Sequence, residues 1–194
     1  MSSNTSADQP TNQAATPESI YEKSLELSKN TQSIIPFMED EIVRLEEESA
    51  AFVAGERENT EFTPFRLKQG VYGQRQADVQ MIRVKIPGGI ITPEQMDAMG
   101  EFSTKYAPLG KGHITTRENF QFHHVPLDQC PDGLRLLGSA GLSTREACGN
   151  VVRNVVGSPT SGVCASEVFD PTPYLAAFVR FAVRHPLTQA FPRK

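Results

Sequence analysis

Along this 194-residue chain the spacing of apolar side chains changes several times, and each change marks a new element. Residues 1–20 offer almost nothing to bury, being mostly Ser, Thr, Asn, Gln, Ala and Pro, which predicts a disordered leader. Residues 21–65 form a helical arm. After Pro36, Met38, Ile42, Leu45 and Phe52 fall near one helical face, Glu39, Asp40, Glu46, Glu47 and Glu48 fall largely elsewhere, and Gly55 is a stop signal. Residues 62–76, FTPFRLKQGVYGQRQ, follow neither regular period and predict an extended, irregular connector, whose Arg66, Lys68 and Arg75 are either solvated or in reach of a ligand.

The pattern sharpens in VQMIRVKIP. Ile82, Val84 and Ile86 alternate with Arg83 and Lys85, which predicts a strand with one apolar and one basic face. Pro87-Gly88-Gly89 breaks it. Thr92-Pro93-Glu94-Gln95 combines a hydroxyl cap, a proline at the first helical position and a glutamine three residues on, so a helix starts here. It buries Met96, Met99, Phe102 and Tyr106 and ends before Pro108. From His113 to Val125, Ile114, Phe120 and Phe122 hold even positions, while Thr115, Arg117, Asn119, Gln121 and His123 hold odd ones. A turn around Glu118 makes this a hairpin with a shared polar face.

A helix over residues 132–140, closed by Gly141, completes strand, helix, strand, strand, helix. That order is most of an α+β ferredoxin-like plait, and the β-branched GNVVRNVV at 149–156 is the candidate for its last strand. Pro171 and Pro173 start a final helix with Leu175, Phe178, Val179 and Ala182 on its apolar side. The expected organisation is leader 1–20, arm 21–65, half-domain 66–145, and the start of a second α/β domain over 146–194.

Charge changes this picture more than composition does. Residues 1–58 carry 4 basic and 12 acidic side chains, whereas residues 59–194 carry 15 basic and 11 acidic ones. An acidic arm precedes a mildly basic body suited to an anionic ligand. No apolar run is long enough to span a membrane, and the N-terminus lacks the basic and apolar regions of a secretory signal, so a cytoplasmic address without membrane attachment is expected. Cys130, Cys148 and Cys164 lie 18 and 16 residues apart, unlike any ligand pair, so no metal site is expected from them.

Aligning the strands gathers Arg83, Lys85, Thr115, Arg117, Gln121 and His123 on one surface, with Arg153 joining from the following strand. Guanidinium forks match carboxylates and oxyanions in two-point contacts, and crowded cations favour an anion that relieves their repulsion. Two readings fit: an anion site, or the wet face of an antiparallel sheet. An RNA-binding or cofactor-free interaction module on the same plait is a third, but Phe120 and Phe122 lie opposite the arginines and the basic charge is modest, so no nucleic-acid partner is expected.

The phrases MIRVKIPGGIIT, HITTRENFQFHH and GNVVRNVVGSP resemble, in order and spacing, the N-terminal part of the sirohaem-dependent sulfite and nitrite reductase family. The resemblance runs from about Tyr72 to Lys194. It implies a ferredoxin-like half-domain packed against domains that hold sirohaem coupled to a 4Fe-4S cluster. It further implies six-electron reduction of sulfite or nitrite, with electrons from ferredoxin or a flavoprotein. By the same likeness, Arg83 and Arg153 are the arginines that hold the oxyanion, and Thr115, Arg117 and Gln121 contact the macrocycle, as do Arg83 and Arg153. Lys194 is the first of two active-site lysines, and His113 stands where relatives often have Arg. The cluster-ligating cysteine motifs of the family do not occur in this sequence, which implies a truncated or a split version of a reductase, inactive by itself, with the remainder on a separate chain if it is split.

Overall fold

The computed structural model describes residues 34–189 together with 191 and 192. The expected leader, the first part of the helical arm and Lys194 lie outside the described residues.

Helix α1 (Glu39–Val53) buries Ile42 and Leu45 and half-buries Phe52, with Glu39, Asp40, Glu46 and Glu47 exposed and Glu41 and Glu48 partly covered in ion pairs. Three acidic side chains in its first turn favour the positive end of the helix dipole. Met38 is the residue before the first turn and stays exposed, not part of the buried stripe as the sequence suggested. The expected irregular connector is instead helix α2 (Asn59–Lys68) followed by the short strand β1 (Val71–Gly73). Tertiary packing overrides the weak local pattern and the interior Pro64. Phe62 is fully buried and stacks on Phe52 of α1 at 4.5 Å between ring centres.

Strand β2 (Val79–Val84) lies at the sheet centre, as its apolar alternation requires, with Ile82 and Val84 fully buried. Helix α3 (Pro93–Tyr106) carries the expected reciprocal cap: Gln95 N donates to Thr92 Oγ1 at 3.3 Å, and Thr92 N donates to Gln95 Oε1 at 3.1 Å. Met99 and Phe102 are buried, but Met96 is exposed because Gln95 and Ala98 take the inward positions. Strands β3 (Gly112–Ile114) and β4 (Phe120–Pro126) form the hairpin, Glu118 taking the left-handed conformation (φ 60°) in its turn. Ile114 is exposed rather than core, because β3 is the outer strand. Helix α4 (Cys130–Ser139) follows and crosses α3 closely at Gly133, where a Cβ would stand 2.6 Å from the Phe102 ring.

The sheet order is β1-β2-β4-β3, antiparallel throughout. Its fourth strand is therefore β1, not residues 149–156, which form no strand. The place beside β2 is already taken, with Val71 opposite Ile82 and Gly73 opposite Gln80. β4 bulges opposite β2 between Gln80 and Ile82, with His124 left-handed (φ 62°), so both Phe122 and Val125 are buried despite their odd spacing. The core lies between the sheet's apolar face and helices α1–α4, around Phe102 and Phe122 with ring centres 4.5 Å apart. A smaller cluster of Ile35, Val179 and Val183 sits under helix α5 (Thr172–Ala182). On α5 Ala176 is buried while Phe178 is exposed, against the expected apolar stripe. No helix among the described residues is long and apolar enough to cross a membrane.

Candidate functional site: a donor-lined anion cleft

The polar side of the sheet is built by pairing. Arg83 on β2 and Gln121 on β4 are directly opposite, and Gln121 also faces His113 on β3. Arg83 Nε and Nη2 both donate to Gln121 Oε1, at 3.0 and 2.6 Å, while Nη1 donates to the Ala147 carbonyl at 3.3 Å. One guanidinium is thus held by two neutral acceptors and keeps its charge uncompensated.

The turn between β3 and β4 brings in the next residues. Thr115 N donates to the Asn119 carbonyl at 2.8 Å, and Thr115 Oγ1 accepts from Arg117 N at 3.3 Å and Asn119 N at 3.1 Å. With its lone pairs so engaged, the Thr115 hydroxyl retains a proton to donate. Asn119 is almost fully buried, and its Oδ1 accepts from Ile86 N at 3.1 Å, tying the turn to the exit of β2. Arg153 arrives from the segment after α4, where its Nε donates to the Gly149 carbonyl at 3.3 Å.

These side chains surround one cleft of about 240 Å³, lined by Arg83, Thr115, Arg117, Gln121 and Arg153 together with Thr116, Asn119 and Ala147. Five of the six sequence-predicted site residues therefore share one cavity, and the sixth, Lys194, lies outside the described residues. The sequence pattern does not point to Thr116, which falls on the even positions assigned to the apolar face, or to Ala147, whose side chain carries no chemical signal. Asn119 was placed on the polar face, but its buried bond to Ile86 has no sequence signature.

Two expected neighbours sit differently. Lys85 shares the polar side but is almost completely buried under the segment after α4, donating from Nζ to the Val152 carbonyl at 3.0 Å. Burial pulls its pKa down to about 8, against the attraction of Glu146, with Arg184 and Arg145 adding repulsion. His123 stands edge-on to His113 at 5.2 Å between ring centres, beside the cleft rather than in its lining. Burial lowers its pKa, and repulsion from His113, His124 and Arg83 adds to this.

None of the three cleft arginines has an ion-pair partner among the described residues, whereas Arg57, Arg135, Arg145 and Arg184 all do. A concentration of donors lacking a carboxylate suits an anion with several oxygens. Phe122 is buried and Phe120 packs against the core, so neither ring is offered for base stacking. A larger cleft of about 680 Å³ lies by α2 and β1 and includes Arg66, Tyr72, Asn150 and Phe191, but none of the cleft residues above. Among the described residues no three of His, Cys, Asp or Glu are grouped to hold a metal ion. Cys130 and Cys148 are buried, and burial raises both thiol pKa values.

Fold and cleft together define an α+β plait in which Arg83 of the sheet, Arg117 of a turn and Arg153 of a later segment line one cleft. Residues 72–140 match the model of the nitrite/sulfite reductase ferredoxin-like half domain. That stretch is similar to such a half domain, and the chain is similar to the N-terminal part of sulfite and nitrite reductases. It is 37% identical over 114 residues to "Sulfite reductase [ferredoxin] 1" of Mycolicibacterium paratuberculosis, covering 59% of this chain and 20% of that protein. It is 32% identical over 148 residues to the chloroplastic ferredoxin–nitrite reductase of Arabidopsis thaliana, covering 75% of this chain and 25% of that one. The solved structure of Mycobacterium tuberculosis NirA protein superposes with a TM-score of 0.68 at 27% identity, over 87% of this chain and 33% of its own. The chain thus spans about a fifth to a quarter of the length of these two curated relatives.

Proposed function

We propose that this chain supplies one wall of a sirohaem pocket and the anion-holding cations of a cytoplasmic reductase that converts sulfite to sulfide or nitrite to ammonia. The observation that carries this reading is the gathering of Arg83, Thr115, Arg117, Gln121 and Arg153, from three separate segments, around one cleft free of carboxylates. A tetrapyrrole fringed with carboxylates fits a rim of unpaired guanidiniums, a free hydroxyl proton and the Gln121 amide, whose oxygen is already spent on Arg83.

When bound, sirohaem would carry the electron chemistry. The chain's own residues supply binding and field. Thr115, Arg117 and Gln121 donate to peripheral carboxylates, and Arg83 and Arg153 hold the substrate oxyanion, each charge-assisted hydrogen bond contributing roughly 1.5–3 kcal/mol. These two arginines stabilise the charge of the bound anion. Lys194 is assigned the proton-donor role, because an ammonium can give up its proton and be recharged from water. A 4Fe-4S cluster does not fit the described residues, whose three cysteines form no group, so its ligands are assigned to a separate or continuing chain. Ferredoxin or a flavoprotein is the electron donor in this reading.

Titrating the chain with sirohaem and following the visible absorbance tests the pocket. A Soret shift that saturates in the wild type and weakens at least tenfold in Arg117→Ala is expected if each lost bond has the strength above. A spectrum identical to free sirohaem, with the wild-type chain in excess, removes the proposal.

A further inference from the structure

Arg153 reaches the cleft on a stretch that belongs to no helix or strand, so something other than the sheet ladder must fix it. Four hydrogen bonds do so. Lys85 Nζ donates to the Val152 carbonyl at 3.0 Å, and Gly88 N donates to the Val155 carbonyl at 2.8 Å. Between them, Asn154 Nδ2 donates to the Ile86 carbonyl at 2.6 Å and to the Arg117 carbonyl at 2.8 Å. Both partners of that amide are acceptors, so the nitrogen must be the group that faces them.

We propose that Asn154 is a positioning residue of the anion cleft. Its two N–H bonds tie the backbone next to Arg153 to the exit of β2 and to the turn, and so set where Arg153 stands in the cleft. The inference rests on the reading of the cleft as an anion site. Lys85 supports the arrangement from the other side by fixing the Val152 carbonyl, one residue before Arg153.

The chemistry limits what else could serve. The position needs one short side chain with two protons on a single atom, aimed at two backbone oxygens. Serine offers one proton, and aspartate offers none and would place a negative charge against two carbonyls. Glutamine keeps the donors on an arm one methylene longer, which moves the turn and Arg153 apart.

Sulfite is the probe, titrated into the full chain while the arginine Nε–H resonances are followed by NMR. Asn154→Asp is expected to weaken sulfite binding about tenfold, comparable with the loss of one charge-assisted bond. Arg153→Ala should weaken it at least as much. The double variant separates positioning from general structural support. If Asn154 acts through Arg153, adding Asn154→Asp to Arg153→Ala should cost no more than about a further twofold, since coupled residues are not additive.

A full tenfold additional loss in the double variant, or unchanged binding in Asn154→Asp while Arg153→Ala is impaired, overturns the positioning role and leaves the cleft reading intact. Unchanged sulfite binding in Arg153→Ala overturns the cleft reading itself. Should Asn154→Asp fail to fold, Asn154→Gln and Asn154→Ala take its place. Intermediate binding in the glutamine variant and weak binding in the alanine variant support the proposal, and wild-type binding in both defeats it.

Discussion

The two ends of the described structure are held together by different physics. From Val71 to Ser139 the chain closes an apolar core: Ile82, Val84, Phe102, Phe122, Val125 and Leu137 are essentially inaccessible, and helices cover one side of the sheet. From Arg145 onward the chain is held mainly by polar contacts. Glu146 is completely buried, and its Oε1 accepts from Arg184 N at 2.9 Å and Gln189 Nε2 at 2.6 Å. Arg184 in turn pairs with Glu41 of α1 at 2.7 Å. Meanwhile Val163, Val168, Phe169, Tyr174, Phe181 and Leu187 are exposed. The plait closes around its own side chains together with Ile42, Leu45 and Phe62 from α1 and α2, whereas the later segment is tethered to it by directional bonds and leaves much of its own apolar surface in water. The cleft lies at the seam: Arg83, Arg117 and Gln121 stand on the closed part and Arg153 on the tethered part.

The largest effect should come from the closed side. Phe122→Ala removes a ring packed on Phe102 and, by the behaviour of large-to-small core changes, should cost about 3–5 kcal/mol. Denaturant unfolding measures it, and a loss below about 1 kcal/mol would show that the plait core is not the chief source of stability. On the tethered side, Glu146→Ala strips acceptors from Arg184 N and Gln189 and removes the negative charge that offsets the buried Lys85, while Arg145 and Arg184 keep Glu41. The expected cost is about 2–4 kcal/mol. Limited proteolysis should then cut after residue 145 while the plait stays intact, and uniform cleavage along the chain would contradict the division into two regimes.

The same division explains what the sequence made legible. Alternation at Ile82, Val84 and Ile86 and the Thr92–Gln95 capping box are local signals backed by local physics, and the corresponding elements form where expected. Helix α2 was hidden because Pro64 and a featureless period conceal a helix stabilised by Phe62 stacking on distant Phe52. The fourth strand was assigned to 149–156 on β-branched content, which says nothing about whether a place beside β2 is vacant; β1 fills it. Arg83, Thr115, Arg117 and Gln121 were legible as a set because period-two alternation predicts a shared face. Arg153 joins the set on the expectation that 149–156 is a strand; the structure makes no strand there, and a different set of contacts brings Arg153 to the cleft. Lys85 shows the limit of alternation: the pattern gives the face a side chain takes but not what lies over that face.

That burial makes Lys85 a reporter on the seam. Its folded-state pKa of about 8 lies below the ordinary value of 10.5, so between these pH values the unfolded chain binds more protons than the folded one. Stability therefore rises with pH across about 8–10.5, by at most roughly 3 kcal/mol, as the cost of burying the charge is relieved. The raised Cys130 and Cys148 thiols work in the opposite sense, so the comparison must be between wild type and Lys85→Met. The wild-type minus variant difference in unfolding free energy should climb with pH through that window. A flat difference would mean that water reaches Lys85 and that the covering segment is looser than its hydrogen bonds indicate.

The smallest effect is expected on the exposed side of α5. Phe178 is half exposed, and it lies on a helix whose packed positions are Ala176, Val179 and Ala182. Phe178→Ser removes apolar surface that folding hides only in part, so the unfolding free energy should fall by about 1 kcal/mol, less than for any core position. Solubility should respond as well, because several large apolar side chains exposed on one segment promote association between copies. Val179→Ser, one position along, reverses the pattern: that side chain is buried against Ile35 and Val183, and a hydroxyl there lacks both volume and a partner. If the two serine variants destabilise equally, α5 packs through both positions, and the contrast between a closed plait and a tethered, apolar-faced segment no longer holds.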